Sequence, residues 1–304
     1  MVFLTILLGL IPSFLMVVLG GLIRNRLSVN AWQGLDRLNF EILFPTLIFV
    51  AASSRPIQIS DVVRIGPAVW AILCVGLCLS YAARRFGPER FTDFAGTWQT
   101  AWRFNTALGF VAVETLSARP VGILAVAVGM AIPMANLFAV SALSRGSGNL
   151  RRTLIRIVTN PFLLASVLGV LVGLSGISFP AVVVAPLHML AGAAIPVALI
   201  SVGATMNWGA LARLNLFSGI IVSTKLLLTP AITFATCLAL GADPVFAATL
   251  VMFAALPTAS AAHVLAAGFG ADRELSATLV AQTTLLSAVT LPVWITLAEV
   301  AFNP

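Results

Sequence analysis

Long runs of apolar residues dominate the chain, and short charged or Pro/Gly-rich segments separate them. Ten runs are long enough for a helix of about 20 residues to cross a lipid bilayer. We number them as spans 1 to 10: residues 2–23, 35–53, 62–83, 93–116, 119–143, 152–174, 182–205, 213–240, 244–268 and 274–300. A membrane β-barrel would show alternating segments of about ten residues instead. The pattern therefore predicts an all-α membrane protein with ten transmembrane helices.

The two halves of the chain resemble each other weakly but in the same order. Matching positions recur at offsets of 149, 151 and 152 residues: Pro12 with Pro161, Pro45 with Pro196, and Asn105 with Pro257. Five helices is an odd number, so a second copy must enter the membrane from the opposite side. We therefore expect two inverted five-helix repeats, residues 1–143 and 152–304, joined by a cytoplasmic linker at 144–151. Chance matching is the alternative, because membrane helices tolerate proline.

The composition supports a membrane protein and indicates its orientation. Only 9% of residues are charged and 60% are hydrophobic, whereas soluble domains carry roughly 25% charged residues. The net charge of +7 comes from arginines near the span ends, without the basic aromatic face of a nucleic-acid binder. Twelve arginines belong to odd-numbered loops and three to even-numbered loops. Because basic loops stay cytoplasmic, we expect a multi-pass protein of the cell (inner) membrane with both termini outside and odd-numbered loops cytoplasmic.

Helix-breaking and polar residues occur at the middle of spans 4 and 9. Asn105 lies 12 residues after Asp93, or about 18 Å along a helix, and Pro257 lies 13 residues after Pro244. Interrupted backbone at that depth is tolerated only where protein or water covers it. The new helix N-termini would favour an anion. We expect spans 4 and 9 to be broken and to cross, with a substrate-binding set of Arg103, Asn105, Thr106, Pro257, Thr258 and Ser260.

Arg103 is the leading candidate for binding a carboxylate, because an arginine at the helix centre costs about 2.5–3.5 kcal/mol. The alternative is that its side chain reaches the cytoplasmic headgroups. A second set could serve ion coupling or interhelical hydrogen bonding: Lys225, Asn136, Gln282, Thr284 and His263. The sequence contains no H-E-x-x-H, no paired aspartates and no nucleotide-binding loop. We therefore expect neither an enzyme nor a bound metal or cofactor, and coupling to protons or sodium stays open.

Four motifs in matching order resemble the auxin efflux carrier family, whose bacterial members are often named malate or malonate transporters. They are LDRLNFEILFPTLIF, RFNTALGF, ALPTASAAHVLAAGFGAD and QTTLLSAVTLPVWI. The resemblance implies ten helices in two inverted repeats, a scaffold of helices 1, 2, 6 and 7 that usually dimerises, and a moving transport domain of helices 3–5 and 8–10. It also implies that Asn105 and Pro257 lie at the crossing. The family pattern is closer to Arg-Gly-Asn, so Phe104 could narrow the break.

The leading hypothesis is a permease for small organic anions, such as mono- or dicarboxylates or auxin-like weak acids. It would work by elevator-type alternating access. The bile-acid/sodium symporters share the implied fold, so a sodium-coupled symporter is one alternative. A membrane sensor that binds its ligand without transporting it is the other.

Overall fold

The computed structural model describes residues 2–53, 59–144, 155, 158–159, 161–177, 179–259 and 262–302. These ranges are helical and contain no β-strand. The α-helices are α1 (Val2–Ile23), α2 (Val29–Leu38), α3 (Phe44–Ser53), α4 (Ile59–Ser80), α5 (Phe91–Trp98), α6 (Thr106–Val113), α7 (Val121–Leu143), α8 (Pro161–Ser175), α9 (Ala181–Thr205), α10 (Leu216–Ser223), α11 (Thr229–Ala239), α12 (Pro244–Ala255), α13 (Ala262–Gly268) and α14 (Arg273–Phe302). Within these ranges, six helical segments are long and apolar enough to cross a membrane: Phe3–Arg26, Val63–Phe86, Val121–Leu143, Ala181–Thr205, Leu216–Ala239 and Arg273–Phe302.

Two of the apolar runs contain a π-helical turn rather than an interruption. Residues Asn39–Leu43 connect α2 to α3, and Thr224–Leu228 connect α10 to α11. A π turn shifts the side chains that follow it and frees backbone carbonyls, and such turns are frequent at functional sites. The Thr224 carbonyl accepts from both the backbone amide and the hydroxyl of Thr229, the latter at 2.8 Å, and the Trp294 indole donates to the Leu226 carbonyl at 2.8 Å.

The run over 93–116 is interrupted in its middle. Helix α5 continues as a short 3-10 turn, Gln99–Ala101, and α6 begins only at Thr106. Asn105 has extended backbone angles and caps α6, because its side-chain oxygen accepts a hydrogen bond from the Leu108 amide at 3.1 Å. Asparagine is among the preferred N-cap residues, so this sequence favours starting a new helix here.

The run over 244–268 is interrupted at an equivalent place. Helix α12 starts at Asp243, whose carboxylate accepts from the Phe246 amide at 3.0 Å, followed by Pro244 in the first turn. It ends at Ala255, and Leu256 takes extended angles (φ −59°, ψ 139°). The residue before a proline is restricted to such angles, so Pro257 explains where the helix stops.

Glycines let the helices on one side of the molecule approach each other closely. A methyl group at Gly203 of α9 would overlap the Val17 carbonyl of α1, and one at Gly20 of α1 would overlap the Ile200 carbonyl of α9. On α8, a methyl group at Gly169 would lie 2.9 Å from the Phe49 carbonyl oxygen of α3. The pairs α1–α9 and α3–α8 are therefore in near-backbone contact.

Two sequence predictions fall on residues outside the described ranges. These are Ser260, and residues 145–151 of the expected linker. Ser144, the first residue of that linker, ends α7, where its amide donates to the Val140 carbonyl at 2.9 Å.

Candidate functional site

The two interrupted segments meet in the interior. The Asn105 amide donates to the Pro257 carbonyl oxygen at 2.8 Å. The half-helices pack reciprocally: α5 lies against α13, and α12 lies against α6. Phe104, which precedes Asn105, packs on Phe253 of α12 with ring centroids 4.6 Å apart. The sequence departure from Arg-Gly-Asn therefore fills space between the two segments with an aromatic pair.

The two side-chain polar atoms of Asn105 have different surroundings in this arrangement. Its side-chain oxygen caps α6, while its Nδ2 has no hydrogen-bond partner within the described part of the chain. The residue is only 4% exposed. A buried donor without a partner costs about 1–3 kcal/mol, so the Asn105 amide nitrogen is suited to donate to a bound ligand.

Arg103 is held by a neutral partner, which leaves its charge available. Its Nη1 donates to the Gln99 side-chain oxygen at 3.1 Å. The Gln99 nitrogen donates in turn to the carbonyls of Gly96 and Ala262, both at 3.1 Å, which fixes the amide orientation. Among the described residues, no carboxylate forms an ion pair with Arg103. Its half-buried guanidinium is therefore held in place but not neutralised.

A cavity of about 130 Å³ lies beside this junction. One wall comes from the broken segments and α7: Arg103, Phe104, Asn105, Thr106, Ala107, Ile132, Ala135, Asn136 and Ala259. The other wall comes from α2, α3, α8, α9 and the π turn between α2 and α3: Asp36, Asn39, Phe40, Phe44, Phe162, Ala198 and Val202. The cavity thus combines a polar end that carries a cation with several aromatic and aliphatic side chains.

The second wall contains polar residues that our sequence analysis did not select. Asp36 accepts a hydrogen bond from the Ser201 hydroxyl of α9. The Asn39 side-chain nitrogen donates to the Ala194 carbonyl at 3.2 Å, and its side-chain oxygen accepts from the Ala198 amide at 3.1 Å. Asp36 and Asn39 are three residues apart, which puts them on one helix face. Two polar residues with this spacing at the start of an apolar run are the sequence feature that could have identified them as site candidates.

The structure places the predicted site residues in two groups. Arg103, Asn105, Thr106 and Asn136 line the cavity. Pro257 contributes its carbonyl to the junction, and Thr258 is buried behind it, where its amide donates to the Thr283 hydroxyl at 3.4 Å.

The remaining candidates do not line the cavity. The Lys225 ammonium, 2% exposed, donates to the Ala254 carbonyl at 3.4 Å, at the carboxyl end of α12. The Gln282 amide donates to the Ala210 carbonyl at 2.9 Å, and the Thr284 hydroxyl donates to Val280 of its own helix at 2.8 Å. His263 is buried near the start of α13.

Comparison with known proteins places this geometry in context. The profile of the family described as "Membrane transport protein" matches residues 147–295. A protein of Rhizobium meliloti named "Putative malonate transporter" is 26% identical, with 93% of this chain and 92% of that protein aligned. A protein of Methanothermobacter thermautotrophicus named "Uncharacterized transporter" is 28% identical, with 93% of this chain and 95% of that protein aligned. These matches confirm the predicted resemblance, and each of the three names describes a transport protein.

Proposed function

We propose that this chain, a relative of the membrane transport proteins, is a secondary transporter of small organic anions. The observation that carries the proposal is the cavity beside two interrupted membrane segments, into which Arg103 brings a positive charge that no described carboxylate neutralises. Asn105 adds a buried amide donor that has no partner among the residues the structure describes. A guanidinium and an amide can bind a carboxylate through charge-assisted hydrogen bonds, which are about twice as strong as neutral ones.

The helix packing supports two inverted five-helix repeats. The expected repeats pair span 1 with span 6 and span 2 with span 7. Under this pairing, the contact of α1 in span 1 with α9 in span 7 corresponds to the contact of α8 in span 6 with α3 in span 2, and both contacts occur. The same pairing relates the α1–α14 contact to the α8–α7 contact. It also relates the two half-helix contacts, α5–α13 and α12–α6. We infer that spans 4 and 9 are the crossing helices of the two repeats, a place where secondary transporters bind their substrates.

The two walls of the cavity support an elevator-type mechanism. Helices α1, α2, α3, α8 and α9 would form the scaffold, with the close glycine contacts at Gly20, Gly169 and Gly203 keeping it rigid. The other wall belongs to the remaining helices, which would carry the substrate across as one body. Exposed apolar side chains on α1 and α9, such as Leu15 and Val182, leave the scaffold a face for lipid or for the expected second subunit.

The substrate class follows from the polar groups and the size of the cavity. A cavity of about 130 Å³ has room for a small acid. The relative named for malonate supports mono- and dicarboxylates as the first compounds to test. The inner-membrane location, with both termini outside and odd-numbered loops cytoplasmic, completes the proposal and rests on the arginine distribution.

Uptake of labelled small carboxylates by reconstituted proteoliposomes tests the proposal. We expect the wild type to take them up and Arg103→Ala to lose uptake, because the variant removes the only cation among the described residues that line the cavity. Arg213→Ala is the matched control, since Arg213 is exposed and pairs with Glu274 at 2.6 Å away from the cavity. Equal uptake by wild type and Arg103→Ala would refute the role of Arg103. Binding by the wild type without any flux would identify a sensor instead.

A further inference from the structure

The cavity contains a negative group as well as a positive one. Asp36 lines the same space as Arg103 but belongs to α2, one of the helices of the second wall. The two side chains do not form an ion pair with each other; Arg103 contacts Gln99, and Asp36 contacts Ser201. A site built only to attract polyanions would not place a carboxylate among its lining groups, because like charges in a partly buried site repel strongly.

In the described part of the chain no cation forms an ion pair with Asp36, and a hydroxyl donor stabilises its carboxylate instead. Ser201 is buried on α9, and its hydroxyl donates a hydrogen bond to the Asp36 carboxylate. An ionised carboxylate has about four lone-pair sites, so this hydrogen bond leaves acceptor positions that can face a ligand. Asp36 is half-buried, consistent with a group that borders the cavity rather than packing in the core.

We propose that Asp36 determines the charge of the accepted substrate, so that the site selects carboxylates bearing one hydrogen-bond donor and disfavours a second ionised carboxylate. The substrate carboxylate would bind at Arg103 and Asn105. A hydroxyl, ammonium or protonated carboxyl group on the same small molecule would donate to Asp36. This inference rests on the proposed function, because it assumes that the cavity binds the transported acid.

Three-carbon acids that differ only at the far carbon provide the test. Propionate has no donor there, 3-hydroxypropionate has a hydroxyl, and malonate at pH 8 has a second ionised carboxylate. Binding to the purified full chain is measured by competition against a labelled acid or by thermal stabilisation. For the wild type, we expect 3-hydroxypropionate to bind most tightly and malonate most weakly.

Asp36→Asn removes the charge but keeps an oxygen that can accept from Ser201 and from the ligand. We expect this variant to improve malonate binding relative to propionate by roughly tenfold, the order expected from removing one repulsive charge at a partly screened distance. Glu41→Gln is the matched control, because it removes the same charge from an exposed residue that pairs with Arg37. Ser201→Ala removes the hydroxyl and keeps the charge, so it should retain the discrimination against malonate.

The outcomes separate the two proposals. If malonate binds the wild type more tightly than 3-hydroxypropionate, or if Asp36→Asn changes the malonate-to-propionate ratio no more than Glu41→Gln, the assignment of Asp36 is wrong while the transporter proposal stands. If none of the acids binds the wild type, the proposed function itself fails. Should Asp36→Asn not fold, the selectivity of the wild type and of Ser201→Ala tests the proposal. If Ser201→Ala no longer discriminated against malonate, the charge of Asp36 would not be the cause of the selectivity.

Discussion

Substitution of Asn105 by aspartate separates the structural role of this residue from its binding role. The side-chain oxygen that caps α6 through the Leu108 amide is retained in an aspartate, and the nitrogen without a partner is replaced by a second oxygen. Asparagine and aspartate are about equally good N-caps, and a negative charge is favourable at a helix N-terminus. We therefore expect the thermal stability of Asn105→Asp to stay close to that of the wild type.

The effect on binding should be large. Losing a hydrogen bond to a charged ligand group costs about 1.5–3 kcal/mol. Two carboxylates about 4 Å apart repel by about 4 kcal/mol when the effective dielectric constant is about 20. The donor alone accounts for at least a tenfold loss of affinity, and with the repulsion the loss exceeds a thousandfold, since about 1.4 kcal/mol corresponds to a factor of ten.

The assay is competition binding of a labelled carboxylate at pH 8, with thermal unfolding measured on the same samples. Asn215→Asp is the matched control: Asn215 caps α10 in the same way, accepting from the Ser218 amide at 2.9 Å, but lies at an exposed position outside the cavity. Wild-type affinity in a folded Asn105→Asp protein would show that the free amide nitrogen does not contact the substrate. A collapse of stability in Asn105→Asp but not in Asn215→Asp would show that the cap is not what the side chain provides.

Three further predictions follow from single contacts. Arg103→Lys keeps the charge but loses the planar pair of donors, so we expect binding to weaken about tenfold and to remain measurable where Arg103→Ala has none. Gly203→Ala should destabilise the protein by about 1–3 kcal/mol in thermal unfolding, because the added methyl overlaps a backbone carbonyl that cannot rotate away. The control is Gly192→Ala on the same helix, which has open space around it and should be neutral or slightly stabilising. Replacing sodium by choline should leave uptake unchanged, because the Lys225 ammonium already brings a positive charge to the carboxyl end of α12, the kind of helix end that binds sodium in other transporters. Sodium-dependent uptake would favour the symporter hypothesis.

The apolar runs could be read from the sequence because a bilayer imposes a simple length requirement on each helix. The predicted boundaries of spans 1 and 7, for instance, fall within one residue of Val2–Ile23 and Ala181–Thr205. The interruptions at Asn105 and Pro257 were also predictable, since capping and proline geometry act through neighbours in the chain. Their partners were not: that the Asn105 amide would bond the Pro257 carbonyl depends on packing between segments 152 residues apart.

The candidate site shows the same division. Arg103 and Asn105 stand out in the sequence because polar groups at membrane depth are costly. Asp36 and Phe162 do not, because a residue near a span end or an aromatic within an apolar run has an ordinary explanation. Lys225 was equally conspicuous, yet the fold directs it to a helix end instead of the cavity.

The sequence by itself determined that the chain is a helical membrane protein and where two of its helices break, because burial in lipid and local backbone preferences depend on residue type and spacing. Only the tertiary structure decided which polar groups share a cavity. That selection depends on distances between helices far apart in sequence, which glycine contacts, π turns and the meeting of two interrupted segments set together. The presence of Asp36 and Arg103 in one cavity is the clearest case, since no local pattern relates a residue of α2 to one beside the break before α6.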